Sequence, residues 1–473
     1  MISVPGLGSG LDISSIVSQL VAVEGDAKTI LLADKQSGIQ SEITAFGSLK
    51  SLLSTFQTST AKLKTASTFD ASLATSSNPD IFTASTSGAV EPGSFDIEVR
   101  QLAEAHKLLS AGYNDADTIV GEGTLTINVG SDSFDVVIDS SNSSVAGIRN
   151  AINQATDNTG VSATVINVDD GSGTATLAKL VLRSDNSGSE SAISITVDDD
   201  DGIDTDATGL SALYYDPDDA VNPEQMSEIN PALAAEVYID GQRVLSQSNT
   251  VVNAIDGVTL NLLQEDSGTN HTLTIAQDRD SIAGSIDLFV SNYNSFVSLA
   301  NNLSAFNSDT GSAGIFLGDA TLRTLRNQVR SEISNAVEGL NGPYSMLVDI
   351  GITTNSDGTL SVDSTQLTSA LDTNFDDVAQ LFSSTNGLAV KLDGVLNEYT
   401  KSGGIIDGKT QGLNSTIEDI ADEFEDLNLK LESLEERLLA QFSALDVLLT
   451  QLNSTSNFLT EQFEILGGFF ESR

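Results

Sequence analysis

Residues 403–410, Gly-Gly-Ile-Ile-Asp-Gly-Lys-Thr, satisfy G-x-x-x-x-G-K-T, the spacing by which a glycine-rich loop cradles phosphates. That chemistry needs a buried strand before the loop, so that its N–H groups are held around the ligand. The stretch before it runs Leu388, Val390, Leu392, Val395, Leu396 with Lys391, Asp393 and Glu398 between, a helical rather than a strand pattern. A glycine-broken helix–helix connection is therefore expected here. Asp198–Asp201 followed by Gly202 suggests calcium, but aligning that glycine with the sixth position of a calcium loop puts Val197 first and Thr208 last. Those places need an Asp and a bidentate Glu, so a solvated acidic loop is expected. The two histidines, His106 and His271, read as surface or interface residues. There is no Cys for thiol chemistry, and no G-x-S-x-G elbow. Paired carboxylates carry no signal in a chain with 67 acids. Nothing here has the form of a catalytic centre, and no metal or cofactor is expected.

Both ends of the chain read as apolar-periodic helices. From Ile417 the apolar positions run Ile420, Phe424, Leu427, Leu431, Leu434, Leu438, Phe442, Leu445, Leu449, Leu452. They advance by threes and fours, a heptad seam with one four-residue stutter near Phe442. The other end offers Ile13, Ile16, Val17, Leu20, Val23, Ala27, Ile30, Leu31 after a Gly-rich start, with Asp12 placed as an N-cap. A narrow stripe cannot bury itself, so each helix wants a partner: the opposite terminus, or further copies of the chain. The expected interface residues are Leu11, Ile13, Ile16, Val17 and Leu20, with Leu438, Phe442, Leu445, Leu449, Leu452, Leu459 and Phe463. Those at the N-terminus are read as poorly placed for the chain's own core. Gly25, Gly38 and Gly47 are expected to split the first helix, which ends near Leu63.

Between the ends the chain is Gly/Ser/Thr-rich with strand alternation. Residues 66–94 read as a linker, and Phe95–Val99 as the first strand. Further strand signals fall at Leu125–Val129, Phe134–Ile138, Val161–Val165, Lys179–Leu182 and Ile193–Val197, with one short helix capped by Ser144. Asp240-Gly241, Asp256-Gly257 and Asp357-Gly358 mark hairpin turns. Helical periodicity returns from Ile282 and again over Leu322–Ile333, and Asp363 with Gln366 forms a capping-box start. The expected class is α+β multidomain: terminal helices forming a coiled-coil or helical-bundle leg, with inserted antiparallel β-rich head domains. The expected divisions are 1–42 with 412–473, 43–77 with 278–411, 78–112 with 233–277, and an inserted 113–232.

Charge narrows the partners. The 473 residues carry 21 basic and 67 acidic side chains, a net −46. Nucleic acid is excluded and an anionic membrane surface disfavoured, since both need clustered Lys and Arg. Residues 113–232 hold 22 acids and 3 basic residues, net −19, and are expected to face solvent. The start has no charged n-region or apolar core of a secretory signal, and no run is apolar enough to span a membrane. Export, if it occurs, is expected to use a route without a cleaved signal.

Several strings resemble one family. "GLGSGLDISSIVSQLVAVE" (6–24) is similar to the N-terminus of the flagellar filament cap family (FliD, hook-associated protein 2), and "QFSALDVLLTQLNSTSNFLTEQF" (441–463) to its terminal helix. "GSFDIEVRQLAEAHKL" (93–108) resembles its first strand–helix passage, and "VYIDGQRVLSQSNTVVNAIDGVTLNLL" (237–263) its returning strand pair. "DIGITTNSDGTLSVDSTQLTSALDTNFDDVAQLF" (349–382) resembles a motif of flagellar hook-associated proteins, and 124–197 the insertion module of flagellin-related proteins. Two places depart: Gly25-Asp26 replaces a proline-containing break, and the tail "GGFFESR" (467–473) has no counterpart. The resemblance implies a non-enzymatic plate of about four to six copies at the flagellum tip, outside the cell. It also implies export by the flagellar type III apparatus. Implied partners are flagellin, hook–filament junction proteins and a cytoplasmic export chaperone. A surface adhesin binding host glycan or mucin, and an ATPase using Gly403–Thr410, are the alternatives from other classes.

Overall fold

The computed structural model describes residues 12–173 and 175–471, and the side chains of these up to 464. Its helices in chain order are α1 (Ile13–Lys64), α2 (Ala66–Phe69), α3 (Val145–Gln154), α4 (Arg279–Ser304) and α5 (Ala320–Ser334). Then follow α6 (Ser364–Thr373), α7 (Phe375–Ser383), α8 (Leu388–Thr400) and α9 (Ile405–Glu471). The chain divides into two compact units, 1–66 with 279–473 and 67–278. The class is as expected: terminal helices with inserted antiparallel sheets.

In the helical unit α1 is one helix of 52 residues, not two or three segments. It starts on Asp12, whose carboxylate accepts the Ser15 N–H at 3.0 Å. Each interior glycine costs about 1 kcal/mol of helix propensity, and burial along α1 offsets that cost. Phe46, Leu49, Leu53, Phe56 and Leu63 are buried where α1 packs on α4 and α8. The Phe56 ring lies 5.5 Å from Phe289 and 6.4 Å from Phe296, both on α4. Polar ties cross the same interface: Lys64 pairs with Asp393 on α8 at 2.6 Å, and Gln57 donates to that carboxylate at 3.1 Å. A small hairpin, Ile352–Thr354 with Leu360–Val362, turns at the expected Asp357-Gly358. Asn294 of α4 holds it through both amide atoms on the Leu360 backbone. Asp363 caps α6 as expected, but Gln366 donates to the Asp349 carbonyl instead of closing a capping box.

The other unit is antiparallel sheet. A five-stranded sheet has the order Ser72–Ser76, His271–Gln277, Gly93–Gln101, Ala235–Ile239, Gln242–Ser246. Beside it Thr250–Ile255, Val258–Leu262 and Phe82–Thr86 form three strands, and the two sheets share one core around Phe82, Ile97, Val237, Leu260 and Leu273. A second core lies between the four strands Ser227–Asn230, Ala105–Leu109, Thr176–Ser187, Val161–Asp169 and the three strands Asp132–Ile138, Gly123–Val129, Ile193–Asp199. Helix α3 seals that core with Val145, Ile148 and Ile152, and Ser144 caps it by accepting the Gly147 N–H at 3.1 Å.

Residues 66–94 are not a linker: they supply α2 and two strands, because Phe82 fills the core and Ser/Thr side chains suit a pleated surface. Residues 67–77 therefore belong with the sheets, as Ser72–Ser76 pairs with His271–Gln277, and not with the helices. The stretch after Gln101 is a strand rather than a helix, since His106 and Leu108 alternate inward.

His106 is also no surface residue. Its Nδ1 accepts the Ile193 N–H at 2.8 Å, so Nε2 carries the proton and donates to Glu228 at 3.1 Å. Burial lowers its pKa, against the opposing pull of Glu228. A lowered imidazole favours the neutral folded form, so its stabilisation is complete above the ordinary value of about 6.5 and fades as the pH falls through the lowered one. The sheet unit should therefore lose melting temperature as the pH falls below about 6.5. His106→Gln should flatten that slope in thermal melts; an unchanged slope would assign the effect to carboxylates instead.

Candidate assembly surface

Helices α1 and α9 pair antiparallel. Lys50 of α1 forms an ion pair with Asp407 near the start of α9, while Gly25 faces Leu431 further along it. Leu32, Ile420 and Leu427 are buried between them, flanked by Ile39, Phe424 and Leu431. A Cβ on Gly25 would sit 2.6 Å from the Leu431 Cδ1, so the glycine makes room for that side chain between the helices. The opposite terminus is thus the partner for the first part of the α9 seam.

That pairing sorts the expected interface residues. Leu11 lies outside the described residues. Ile13 and Val17 are 2% and 0% exposed, so they belong to the chain's own core, contrary to expectation. The physical reason is register: continuing the antiparallel pairing brings them to about positions 443 and 439 of α9. Ile16 is half-buried, and Leu20 is exposed together with Val23, Ile30 and Leu31 on the outer face of α1. The N-terminal stripe is therefore two faces, one spent inside and one open.

On α9 the burial fades along the seam. Leu438, Phe442 and Leu449 are half-buried, whereas Leu445, Leu452, Leu459 and Phe463 are exposed, Phe463 by 70%. Past about position 444 the described part of α1 has no residue left to lie opposite. Val447, Leu448 and Phe458, which the heptad reading missed, are exposed on the same stretch. The signal was available: the helix end carries more apolar residues than one seam can use. A contiguous apolar surface of this kind marks an interaction site.

The chemistry-bearing segments read differently. The phosphate-loop match joins α8 to α9, with a helix and not a strand before it. The Gly403 N–H donates to Asp407 at 3.0 Å, and that carboxyl is held below the usual range by Lys50 first and this N–H second. A carboxylate thus occupies the place a phosphate would need. Lys409 turns away toward Asp319 at 3.7 Å. In the acidic loop, Asp199 accepts the Ser211 N–H at 2.8 Å, Asp201 that of Ile203 at 2.8 Å, and Asp206 that of Thr208 at 2.9 Å. These carboxylates cap turns, and among the described residues no group of three or more His, Asp or Glu is placed to hold a metal. His271, on a strand of the first sheet, donates from Nε2 to the Asp266 carboxylate at 2.9 Å.

Comparison with known proteins gives these surfaces a setting. The family model for the flagellar hook-associated protein 2 N-terminus matches residues 9–106, and that for its C-terminus residues 232–454. A flagellin hook IN motif matches 124–186. The B-type flagellar hook-associated protein 2 of Pseudomonas aeruginosa is 34% identical over 471 residues, covering 98% of this chain and 97% of that one. The flagellar hook-associated protein 2 of Escherichia coli K12 is 35% identical, covering 98% of each. The crystal structure of the D1-D2-D3 domains of the E. coli flagellar cap protein FliD superposes with a TM-score of 0.63 at 33% identity, covering 78% of this chain and 99% of that one. With family models matching both ends and the insertion module between them, and relatives above 30% identity over nearly its whole length, this chain belongs to the flagellar hook-associated protein 2 family, the flagellar cap proteins.

Proposed function

We propose that the chain is one subunit of a multi-copy plate at the distal end of a bacterial flagellum, where it retains exported flagellin and promotes its insertion into the growing filament. The observation that carries this reading is the exposed apolar end of α9, from Leu445 to Phe463, on a helix whose first half is already satisfied by α1. A surface of that kind is suited to docking on another helical assembly. Self-association into about four to six copies would bury it further, as closed symmetric plates do. Binding by hook–filament junction proteins and by a cytoplasmic export chaperone during transit belongs to the same proposal. So does export without a cleaved signal. The inserted 113–232 region, net −19, is assigned to the solvent side.

The adhesin and ATPase alternatives gain no support from the relatives described above, and the loop at 403–410 opposes the second. The test is complementation. In cells of the source bacterium lacking this chain, flagellin should appear in the medium as monomer, and restoring the chain should return it to filaments. Equal filament yield with and without the chain would remove the capping role. Excising 113–232 should leave that yield within about twofold, because a domain dense in like charge is poorly suited to a tight interface.

A further inference from the structure

The helical unit holds a cleft that the apolar end of α9 does not explain. It opens between α4, α5 and the 352–362 hairpin, with a volume of about 430 Å³. Phe296, Val297 and Phe316 line it and are buried. Arg323, Arg326 and Arg330 stand along its wall, three and four positions apart on α5, so they share one helix face. Arg326 is anchored, donating to the Ser304 hydroxyl at 3.0 Å and the Asn301 amide oxygen at 2.8 Å. Arg323 and Arg330 are exposed, and among the described residues neither forms an ion pair. The two acids at the rim are engaged elsewhere: Asp319 caps α5 and faces Lys409, and Asp357 accepts from Thr359. Three arginines on one helix face, beside a cleft and without a carboxylate partner among the described residues, form a local basic cluster in a chain with 67 acids and only 21 basic residues.

The complement is on α9. Asp422, Glu425, Leu429, Glu432 and Glu436 recur at steps of three and four on an exposed face, apart from the seam that meets α1. Leu429, at its centre, is 57% exposed. An apolar side chain framed by four carboxylates matches an apolar floor framed by three guanidiniums, with Arg the residue best suited to bidentate carboxylate pairing. The same copy cannot supply it. Lys409 reaches the rim acid Asp319, Leu429 lies about 30 Å farther along α9, and that helix is unbroken.

We propose that the Arg323–Arg326–Arg330 cleft of one copy receives the Leu429 face of α9 from a second copy. The contact joins two different surfaces, so it repeats in one direction and builds a ring when the rotation closes. It rests on the self-association proposed above.

The chain contains no cysteine, which gives a clean test. Asn327→Cys, on the cleft wall, and Leu429→Cys are made as separate full-length variants, mixed and oxidised. Disulfide-linked dimers should form in the mixture and not in either variant alone, and the double variant should give a ladder of oligomers. Sedimentation of the same samples separates the two ways of failing. Oligomers without mixed dimers would overturn this contact and leave self-association standing, whereas monomers throughout would overturn both. Independently, Arg323→Glu with Arg330→Glu should weaken assembly about tenfold or more, and added Glu425→Arg with Glu432→Arg should restore it. Unchanged assembly in the first variant, or no recovery in the second, would contradict the pairing.

Discussion

With Leu452, Leu459 and Phe463 replaced by Asp, the chain should fold and leave the cell, yet filaments should not form. All three side chains are exposed in the isolated chain, so their loss removes little of its own packing. Three carboxylates carried into an apolar interface cost several kcal/mol between them, because none gains a partner there. Docking should weaken more than a hundredfold. Nearly all flagellin should then be recovered from the medium as monomer, while the purified variant melts within a few degrees of the parent. Wild-type filament yield from these cells would show that this end of α9 is not the docking surface. Ile13→Asp or Val17→Asp makes a poor substitute, since both residues are buried and their loss disturbs folding itself. Leu20→Asp, on the open face of α1, is the informative variant at that end.

Phe56→Ala should be the most damaging single change to the helical unit. The ring is fully buried on α1 and meets Phe289, Tyr293 and Phe296 on α4. Truncation to Ala leaves a cavity that rigid helices fill poorly, at a cost of about 3–5 kcal/mol. Urea unfolding followed by helical circular dichroism should show the midpoint falling with little change of slope. The sheet unit, which has its own cores, should keep its own midpoint. A loss below about 1 kcal/mol would mean that α1 is not held by this cluster.

Much of the architecture was legible because it depends on period alone. The threes and fours from Ile417 to Leu452, the alternation at Phe95–Val99, and the Asp-Gly turns are local patterns, and the structure has each in place. Asp12, Ser144 and Asp363 cap the helices they were assigned to. What escaped depends on partners distant in sequence. The cost of Gly25, Gly38 and Gly47 is visible in the chain, but the packing that offsets it comes from α4, α8 and α9. The strands within 66–94 carry Ser and Thr where an apolar pattern would have revealed them, and Phe82 is committed only by the sheet around it. His106 looked exposed beside Lys107 because its two partners, Ile193 and Glu228, are 87 and 122 residues away.

The assembly surface shows the same division. Composition marked Leu445, Leu452, Leu459 and Phe463 as residues wanting a partner, and they are open. It also marked Ile13 and Val17, which the register of α1 on α9 consumes. The stripe told which residues are apolar; only the antiparallel pairing told which are already used. The arginine face of α5 was readable as a spacing of three and four, but its value depends on the cleft it borders.

The most direct measurement of the capping account is the position of the chain on intact flagella. Antibodies raised against the 67–278 unit, coupled to gold and viewed by electron microscopy, would mark it without disturbing the helical unit. One cluster of label at the distal end of each filament is the result the account predicts. Label spread along the filament, or filaments growing normally with none at the tip, would contradict it.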